Sequence, residues 1–516
     1  MNTRSACLLS VCMLASGGSA LAQEVETIAP PASTTVLPAI TVVAPAHRPK
    51  TRAIQSPAPA PSDVASNVPT TRLNVVATTP LAGTGIDADK VPASVTTVSA
   101  GEVDRNRSLN VTDTLQQRVP GIVVNEVAGN PFQPDVQFRG FVASPVSGTP
   151  QGLAVYQNGV RINEAFGDTV NWDLIPTAAI RSIGVVANNP AFGLNALGGA
   201  LNIQMKDGFR YHGAEIDTMG GSYGRVQSSA QWGKQVDTNF AVYGALEGLH
   251  DDGFRDLSAS DVRRFYGDVG YRSESSEFHL NMGAADNAFG ATATVPVELL
   301  QQNYSAIYTS PQTLTNKVGY MNLTGKVDVA PSWTVEGSAH LRVFDQNTVD
   351  GNSTGTQACA DPTLLCFGDA NTPANGLNGA QLANPFPTGA ILGEIDRTTT
   401  QSTTSGASLQ ATNTDQLFGH DNHFVTGGSF DYGVSHFSAS AELGTVAPTY
   451  AVIGSGIFLG PSGNPTSIGP VGLRTVNQYE GLYVLDTFDV SKAFALTAGG
   501  RFNVADITLQ DQIGTA

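Results

Sequence analysis

Residues 321–343 read MNLTGKVDVAPSWTVEGSAHLRV, and apolar and polar residues alternate along both halves of this stretch. Alternating side chains point to opposite faces of a β-strand, so each half has one apolar face and one polar face. Ala330-Pro331-Ser332 supplies a tight turn between the halves. We therefore predict a hairpin of two strands of about ten residues. Its apolar positions are Met321, Leu323, Gly325, Val327 and Val329, followed by Trp333, Val335, Gly337, Ala339, Leu341 and Val343.

The same alternation recurs in EFHLNMGA at residues 277–284 and in much of the chain after Lys206. Strands of about ten residues with one apolar face are typical of a transmembrane β-barrel. A soluble β-sandwich would alternate too, but its strands usually have about five or six residues. Long loops are predicted at residues 347–400 and 445–474, which an outer-membrane barrel would turn outward. The pattern predicts a mainly β fold with a transmembrane antiparallel β-barrel over residues 207–516.

The first residues have the features of a secretory signal peptide. Arg4 precedes an apolar run at residues 6–15, and Ala20-Leu21-Ala22 forms a small-residue cleavage site. A transmembrane anchor would need roughly 20 continuous apolar residues, whereas residues 16–19 interrupt the run. We predict a signal peptide over residues 1–22, cleaved before Gln23, and export toward the outer membrane.

Residues 23–85 are rich in Pro, Ala, Ser and Thr and have too few large apolar residues for a core. They are predicted to form a flexible arm, whose roughly 60 residues could extend about 200 Å at about 3.3 Å each. Two strand-prone runs, AITVVA at residues 39–44 and RLNVVA at residues 72–77, interrupt this composition. Each could add a strand to the sheet of a partner, or could be a chance cluster of Val and Thr.

Composition excludes some partners. The net charge is −17 and charged residues make up only 14% of the chain, which argues against nucleic acid as a partner. Of the four cysteines, Cys7 and Cys12 lie in the signal peptide. In an oxidising compartment Cys359 and Cys366 are predicted to form a local disulfide, with zinc binding as the weaker alternative.

We predict no enzyme activity, cofactor or metal site. Two G-x-S-x-G matches place Ser222 in a predicted hairpin and Ser353 in a predicted long loop, whereas a nucleophile elbow requires a strand-to-helix turn. Residues 193–199 have the glycine spacing of a P-loop without the Lys-Ser/Thr that would hold a phosphate. His420 and His423 lack the Glu and the helix of a metalloprotease motif and are expected to flank a turn.

Residues 86–206 have a different, mixed α/β pattern. Ser99 to Glu102 forms a capping box that opens a helix, and a second helix is predicted at residues 111–118 before Pro120-Gly121. Asn158-Gly159 is the dipeptide favoured in a type I′ hairpin turn. The pattern predicts a small domain with its own core. Its motifs are LQQRVPGIVV (115–124), VQFRGF (136–141), AVYQNGVRINEAFGD (154–168), LIPTAAIRSIGVV (174–186) and FGLNALGGALNIQMK (192–206).

These motifs, in this order, resemble the plug domain of the TonB-dependent outer-membrane receptors, and the arm and barrel flank them as in that family. The resemblance implies a plug inside a barrel of twenty-two strands. It implies that one strand-prone run is the TonB box, offered to TonB and its inner-membrane energising complex. The first candidate is Ile40, Thr41, Val42, Val43 and Ala44, and the second is Leu73, Asn74, Val75, Val76 and Ala77.

The resemblance also assigns roles within the plug. Arg139 and Arg181 fall on plug arginines that latch the plug to acidic barrel residues. Several glycines fall where the plug backbone turns or packs closely, which only glycine allows. They are Gly140, Gly159, Gly193, Gly198 and Gly199.

Two features depart from the family pattern. Asn188-Asn189-Pro190 stands where the family has Arg-Gly-Pro, and the C-terminal DITLQDQIGTA lacks the terminal aromatic residue of a last barrel strand. We can place only about 12 of the expected 22 strands, and we expect a truncated receptor or a fragment of a longer one.

The resemblance implies active uptake of a scarce small ligand across outer-membrane lipid. A ferric siderophore is the default ligand, with cobalamin, haem, other metal chelates and oligosaccharides as alternatives. A passive porin, an adhesin-type barrel or a non-functional truncated receptor are the alternative functions.

Overall fold

The computed structural model describes residues 75–81, 83–127, 129–290, 294–461 and 469–514. The first part of the chain forms ten short strands, two helices and four 3₁₀ turns within these residues. The strands are β1 Val75–Val76, β2 Ile86–Asp87, β3 Val95–Ser99, β4 Ile122–Asn125, β5 Asp135–Phe138, β6 Phe141–Ala143, β7 Leu153–Gln157, β8 Val160–Arg161, β9 Ile180–Val186 and β10 Gly199–Met205. The helices are α1 Ala100–Asn106 and α2 Val111–Arg118, and the 3₁₀ turns are Ala88–Lys90, Trp172–Leu174, Thr177–Ala179 and Pro190–Phe192.

The remaining strands form the barrel wall and its outer loops. They are β11 Gly213–Gly220, β12 Val226–Gln235, β13 Phe240–Asp251, β14 Ser260–Arg272, β15 Ser276–Gly290, β16 Gln312–Ala330, β17 Trp333–Ser353, β18 Thr356–Ala358, β19 Leu365–Phe367, β20 Leu392–Asn413, β21 Asn422–Val446, β22 Val452–Phe458, β23 Val471–Ser491 and β24 Phe494–Asp511. Helix α3 Val297–Gln302 lies between β15 and β16.

The small domain, the predicted plug, is built as its local signals indicate. Ser99 and Glu102 form the predicted capping box at the start of α1, and α2 occupies the predicted residues. A five-stranded sheet in the order β3-β9-β10-β7-β8 packs its apolar face into a core that includes Leu115, Trp172 and Leu201. None of the helices in the described part of the chain is long and apolar enough to cross a membrane.

The wall is a single antiparallel sheet of twelve strands. Its strands pair in chain order from β11 to β17, then β20, β21, β23 and β24, with β22 pairing on β21. The hairpin predicted at residues 321–343 is the β16–β17 pair, in which Met321 lies opposite Leu341. The sequence prediction of a mainly β fold with a small α/β domain is confirmed.

The two faces of the wall differ as the alternation predicts. Met321 and Leu341 point away from the plug and are 52% and 50% exposed, whereas their neighbours Asn322 and Arg342 are buried on the plug side. The wall therefore has an apolar outer face and a polar inner face, which is the arrangement expected of a barrel in lipid.

Two predicted loops are shorter than expected. β17 continues to Ser353 and β20 begins at Leu392, so the loop predicted at residues 347–400 spans residues 354–391. The strands were missed because both of their faces are polar here: Asn347 Oδ1 accepts a hydrogen bond of 2.9 Å from Thr399, and no apolar alternation marks the strand. The loop predicted at residues 445–474 likewise contains β22.

Because of this extension, Ser353 ends a strand instead of lying in a loop. Ser222 lies in the tight turn between β11 and β12, as predicted. The segments that follow these two serines are strands, so neither serine has the strand-to-helix setting of a nucleophile elbow.

The outward face yields a direct test of lipid exposure. We expect Leu341→Arg to destabilise the inserted protein by about 2–4 kcal/mol, because an arginine near the middle of the lipid-facing surface has to be desolvated. Leu377→Arg is the matched control, since Leu377 is 61% exposed but lies in an outer loop. Urea unfolding in lipid vesicles measures both changes, and equal effects would contradict a lipid-facing Leu341.

Candidate functional site

The seam between the plug and the wall combines apolar packing with buried polar contacts. Asp173, in a 3₁₀ turn of the plug, accepts hydrogen bonds from Asn287 of β15 at 2.7 Å and from Asn316 of β16 at 3.1 Å. Burial raises the pKa of the Asp173 carboxyl to about 6, although these amide donors oppose the shift. Since the raised value belongs to the folded state, this carboxyl favours folding most at low pH, and its contribution to the free energy of unfolding falls as the pH rises through about 6.

Beside it, two charged wall residues hold the plug backbone. Arg264 of β14 donates to the backbone oxygen of Asp173 at 2.5 Å and pairs with Glu247 of β13 at 3.2 Å. Glu247 in turn accepts a hydrogen bond of 2.5 Å from the backbone N–H of Ala178 in the plug. The Arg264–Glu247 pair of the wall therefore holds two backbone groups of the plug, the carbonyl of Asp173 and the N–H of Ala178.

The most buried ion pair across the seam joins Arg342 of β17 to Glu164 of the plug, 2.5 Å apart. Their side chains are 9% and 1% exposed. The residues after Glu164 also contact the wall: Asn477 of β23 donates to the backbone oxygen of Ala165, and the rings of Phe166 and Phe437 stack with centroids 4.7 Å apart. These contacts fix the outer edge of the plug against β17, β21 and β23.

The predicted latch arginines do not form these ion pairs. Arg139 is exposed at a backbone φ of 55°, and no ion pair joins it to a carboxylate within the described wall. Arg181 shares a cavity with the wall residues Asp268 and Glu277 but makes no salt bridge to any described carboxylate. Burial and the nearby Arg210 lower the pKa of Arg181. The buried Arg342–Glu164 pair has the opposite polarity, with the cation on the wall and the anion on the plug, whereas the more exposed Lys90–Asp489 and Arg107–Asp217 pairs have the cation on the plug side.

Alternation in the sequence already assigned Arg342 to the polar face of its strand, and the structure shows that this face points at the plug. The pattern could not identify the partner of Arg342, because Glu164 lies 178 residues earlier in an irregular segment. Such a long-range pairing has no local signature.

The predicted glycines differ in what their positions require. At Gly199, with φ of 143°, an added Cβ would lie 2.7 Å from the backbone oxygen of Val186. At Gly198 it would lie 2.6 Å from the Phe141 side chain, so both positions require close packing. Gly140, Gly159 and Gly193 adopt positive φ values of 83°, 81° and 59°.

Asn189 caps the turn at the position where the family has Arg-Gly-Pro. Its side chain accepts a hydrogen bond of 2.9 Å from the backbone N–H of Ala191 and donates one of 2.7 Å to the backbone oxygen of Thr78. The departure from Arg-Gly-Pro therefore keeps a capped turn and adds a contact to the segment that precedes the plug.

That preceding segment contains part of the second TonB-box candidate. Val75 and Val76 form β1, which pairs with Asp87 and Ile86 of β2, and Ala77 follows. Leu73 and Asn74 lie outside the described residues, as does the whole first candidate, Ile40 to Ala44. The box assignment stays a prediction. We call residues 75–81 the strap.

Among the cavities along the seam, two lie on either side of the Asn158-Gly159 hairpin. The lower cavity, of about 220 Å³, lies toward the short turns of the wall and includes Arg181, Asp268 and Glu277. The upper cavity, of about 80 Å³, includes Arg161, Asp431 and Arg501. Both are lined by charges of both signs, so they suit polar contents.

The outer loop at residues 354–391 has its own small core. Leu365 and Phe367 of β19 pack against Ala441 and Leu443 of β21. Cys359 and Cys366 are joined by a disulfide within this loop. In the part of the chain that the structure describes, no group of three or more His, Cys, Asp or Glu residues is placed to hold a metal ion.

His423 lies at the start of β21, next to the turn that contains His420. Its Nε2 lies 2.9 Å from the hydroxyl of Thr84, just after the strap. The expectation that the two histidines flank a turn is therefore wrong: both follow the turn at residues 418–419, and His423 contacts a residue that leads into the plug.

Comparison with known proteins agrees with this architecture. Residues 87–200 match the family model described as TonB-dependent Receptor Plug Domain. Residues 87–200 are therefore a TonB-dependent receptor plug domain, which lies against a wall of antiparallel strands. No curated protein matches its sequence.

Solved receptor structures share the fold. The ferric yersiniabactin uptake receptor of Yersinia pestis is 14% identical with a TM-score of 0.58, covering 82% of this chain and 61% of its own. The ferric-catecholate import receptor of E. coli K12 is 14% identical with a TM-score of 0.59, and the coverage of the two chains is the same. The ferric preacinetobactin receptor of Acinetobacter baumannii is 12% identical with a TM-score of 0.59, covering 85% of this chain and 60% of its own. The chain thus spans about three fifths of the length of these structures.

The buried pair across the seam can be tested by removing its charges. We expect Arg342→Met or Glu164→Gln alone to destabilise plug attachment by about 3–5 kcal/mol, because each leaves an unpaired buried charge. The double variant Arg342→Met/Glu164→Gln should be less harmful than the sum of the two. The measurement is the urea dependence of plug proteolysis in the intact receptor.

Arg397→Met is the control for this cycle. Arg397 pairs with Glu442 at 2.8 Å, but its side chain is 41% exposed and the pair lies within the wall. An exposed pair is worth at most about 1 kcal/mol. If Arg342→Met were no more harmful than Arg397→Met, the Arg342–Glu164 pair would not be a plug attachment.

Proposed function

We propose that this chain is the plug and part of the wall of an outer-membrane transporter that imports a scarce nutrient with energy delivered by TonB. The observation that carries the proposal is a TonB-dependent receptor plug held against the inner face of a barrel wall. A passive pore has no use for a domain that fills its lumen, whereas a gated transporter needs one.

The position of the strap supports coupling from the periplasmic side. The wall connects β16 to β17 and β23 to β24 by tight turns of two residues, and barrels of this kind carry short turns on the periplasmic side. Lys90, just after the strap, bonds at 2.6 Å to Asp489 next to one of these turns. The residues that follow the strap are therefore bound to the side of the wall that an energising complex would reach.

We further propose a ferric siderophore as the ligand. The structural neighbours are named for uptake of ferric yersiniabactin, ferric catecholates and ferric preacinetobactin. The described outer loops present polar and aromatic groups, such as the Tyr308–Tyr450 ring pair. No metal-binding cluster is found in the described chain, and these groups suit a ligand that arrives with its metal already chelated. The predicted signal peptide, residues 1–22, would direct the chain to this membrane.

Deleting residues 40–43 tests the coupling. We expect energy-dependent uptake of a ferric siderophore to be lost while surface binding of the same ligand is unchanged, because a strand-addition motif acts only from the periplasm. Deletion of residues 58–61 is the control, since it removes the same length from the same arm without a strand-prone run. Uptake and binding are measured with labelled ferric siderophores in a strain that lacks the chromosomal gene.

The other outcomes are equally informative. Uptake that survives the deletion but is lost on replacing residues 73–77 by a Gly-Ser sequence would move the box to the strap. Uptake that survives both changes and a protonophore would contradict TonB coupling and favour a passive barrel. If the receptor supported energy-dependent growth on none of the ferric siderophores in a panel, the proposal of a ferric siderophore as ligand would be contradicted.

A further inference from the structure

We propose that Asp350, Glu394 and Asp396 form a binding site for an organic cation, a protonated amine or a guanidinium group, on the inner face of the wall. We call these three residues the acidic site. It lies near the outer mouth, where β17 and β20 run into the outer loop at residues 354–391. The inference rests on the proposed function in one respect, namely that an imported ligand brings the cation to this mouth.

The acidic site lies where the inner face of the wall extends above the plug. Arg342 of β17 points at the plug, and alternation puts Gln346 and Asp350 on the same face. Gln346 donates a hydrogen bond of 3.4 Å to Asn171 of the plug. Asp350 lies farther along β17, by about 13 Å at about 3.3 Å per residue. A ligand that enters from outside therefore reaches the acidic site before it reaches the plug.

Strand pairing brings the three carboxyl groups together. Asp350 of β17 lies opposite Asp396 of β20, and Asn352 lies opposite Glu394. Opposite residues of an antiparallel pair point to the same face of the sheet. The Nδ2 of Asn352 donates to Asp350 and to Asp396 at 3.1 Å in each case, so the two accepting oxygens are at most about 6 Å apart. Thr354, at the start of the outer loop, donates to Glu394 at 2.7 Å.

These neutral donors leave the acidic site short of positive charge. Asp396 is only 8% exposed, and its Oδ1 has no hydrogen-bond donor among the described residues. None of the three carboxyl groups forms an ion pair with a Lys, Arg or His of the described chain. Arg397, the neighbour of Asp396, points to the opposite face and pairs with Glu442 at 2.8 Å. Carboxyl groups buried side by side cannot all stay ionised unless a cation joins them.

The geometry favours an organic cation over a metal ion. The three carboxyl groups do not converge as metal ligands, since no group of three or more His, Cys, Asp or Glu in the described residues is placed to hold a metal ion. An ammonium or guanidinium group instead carries several N–H donors that point in different directions, so it can bond to separated carboxylates. Asp396 supplies the buried acceptor, whereas Asp350 and Glu394 are partly exposed. The cation is therefore held by Asp396 at its inner end and by the other two beside it.

Apolar packing on one side of the acidic site strengthens such a bond. Ala441 and Leu443 of β21 lie opposite Asp396 and Glu394. Both are buried in the small core of the outer loop, which includes Phe367. A charge-assisted hydrogen bond is stronger where water is excluded. The acidic site therefore favours a ligand that carries an amine or guanidinium group and disfavours one that presents a carboxylate at this position.

Thiol protection in the full-length receptor tests the acidic site without knowledge of the ligand. The probe is agmatine, which carries a guanidinium and a primary ammonium group, and the reporter is Thr354→Cys, beside Glu394. We expect millimolar agmatine to slow the labelling of this cysteine by neutral methyl methanethiosulfonate in a saturable way. Asp396→Asn should weaken the protection about ten-fold, because a hydrogen bond to a charged group is lost. Cys359 and Cys366 form a disulfide and do not compete for the reagent.

Asp345→Asn is the matched control. Asp345 also lies on β17 and accepts hydrogen bonds from Asn347 and Gln401, but alternation puts it on the outward face. Absence of protection by agmatine, or an equal loss of protection with Asp345→Asn and Asp396→Asn, would overturn the site. Protection by Ca²⁺ but not by agmatine would overturn the choice of an organic cation. Retention of the protease-resistant plug identifies folded variants, and Glu394→Gln repeats the test if Asp396→Asn does not fold.

A second arm separates the acidic site from the identity of the imported ligand. Ferric chelates of several donor classes, each with a free primary amine or with that amine acetylated, are compared for binding to the purified receptor. We expect the amine form of a bound chelate to bind about ten-fold more tightly, and Asp396→Asn to remove the difference. If agmatine protects the cysteine but no chelate binds, the site stands and the proposed ferric siderophore fails. If both forms of a chelate bind equally tightly, the site does not recognise the ligand and the inference is wrong.

Discussion

A charge buried inside a barrel lumen has to be neutralised where it lies, and the Arg342–Glu164 pair meets this requirement across the boundary between plug and wall. Because both side chains are almost fully buried, neither can be satisfied by water. The pairing fixes the outer edge of the plug, and the stacking of Phe166 on Phe437 follows from that position.

The plug is therefore attached in two physically different ways. Asp173, Glu164 and their wall partners are buried, charged and hydrogen-bonded from several strands at once, so they must break together. The strap is held by amide side chains and a two-residue strand pair, which can break in sequence. In the transporter proposed above, a pull on the arm would act first on the weaker set.

The sequence predicted the parts of the fold that have local or periodic signals. Period-two alternation identified the β16–β17 hairpin, and the Ser99–Glu102 capping box identified the start of α1. The polar extensions of β17 and β20 above the apolar band were missed, because a strand that is polar on both faces has no alternation to detect.

The residues of the candidate site were likewise predicted only as far as local signals in the sequence allowed. Resemblance placed the latch on Arg139 and Arg181, whereas the structure places the buried cation on Arg342. Alternation showed that Arg342 lies on the polar face, but its pairing with Glu164 depends on how the plug sits against the wall.

Hydrogen–deuterium exchange on the full-length receptor, with and without the periplasmic domain of the proposed partner TonB, is the most direct test of how the plug is attached. The account predicts that the partner lowers the protection of the strap while the amides of β9 and β10 in the plug core and of the segment around Glu164 keep theirs. Loss of protection throughout the plug would show that the buried ion pair does not hold it, and unchanged protection of the strap would show that the strap is not the element that moves.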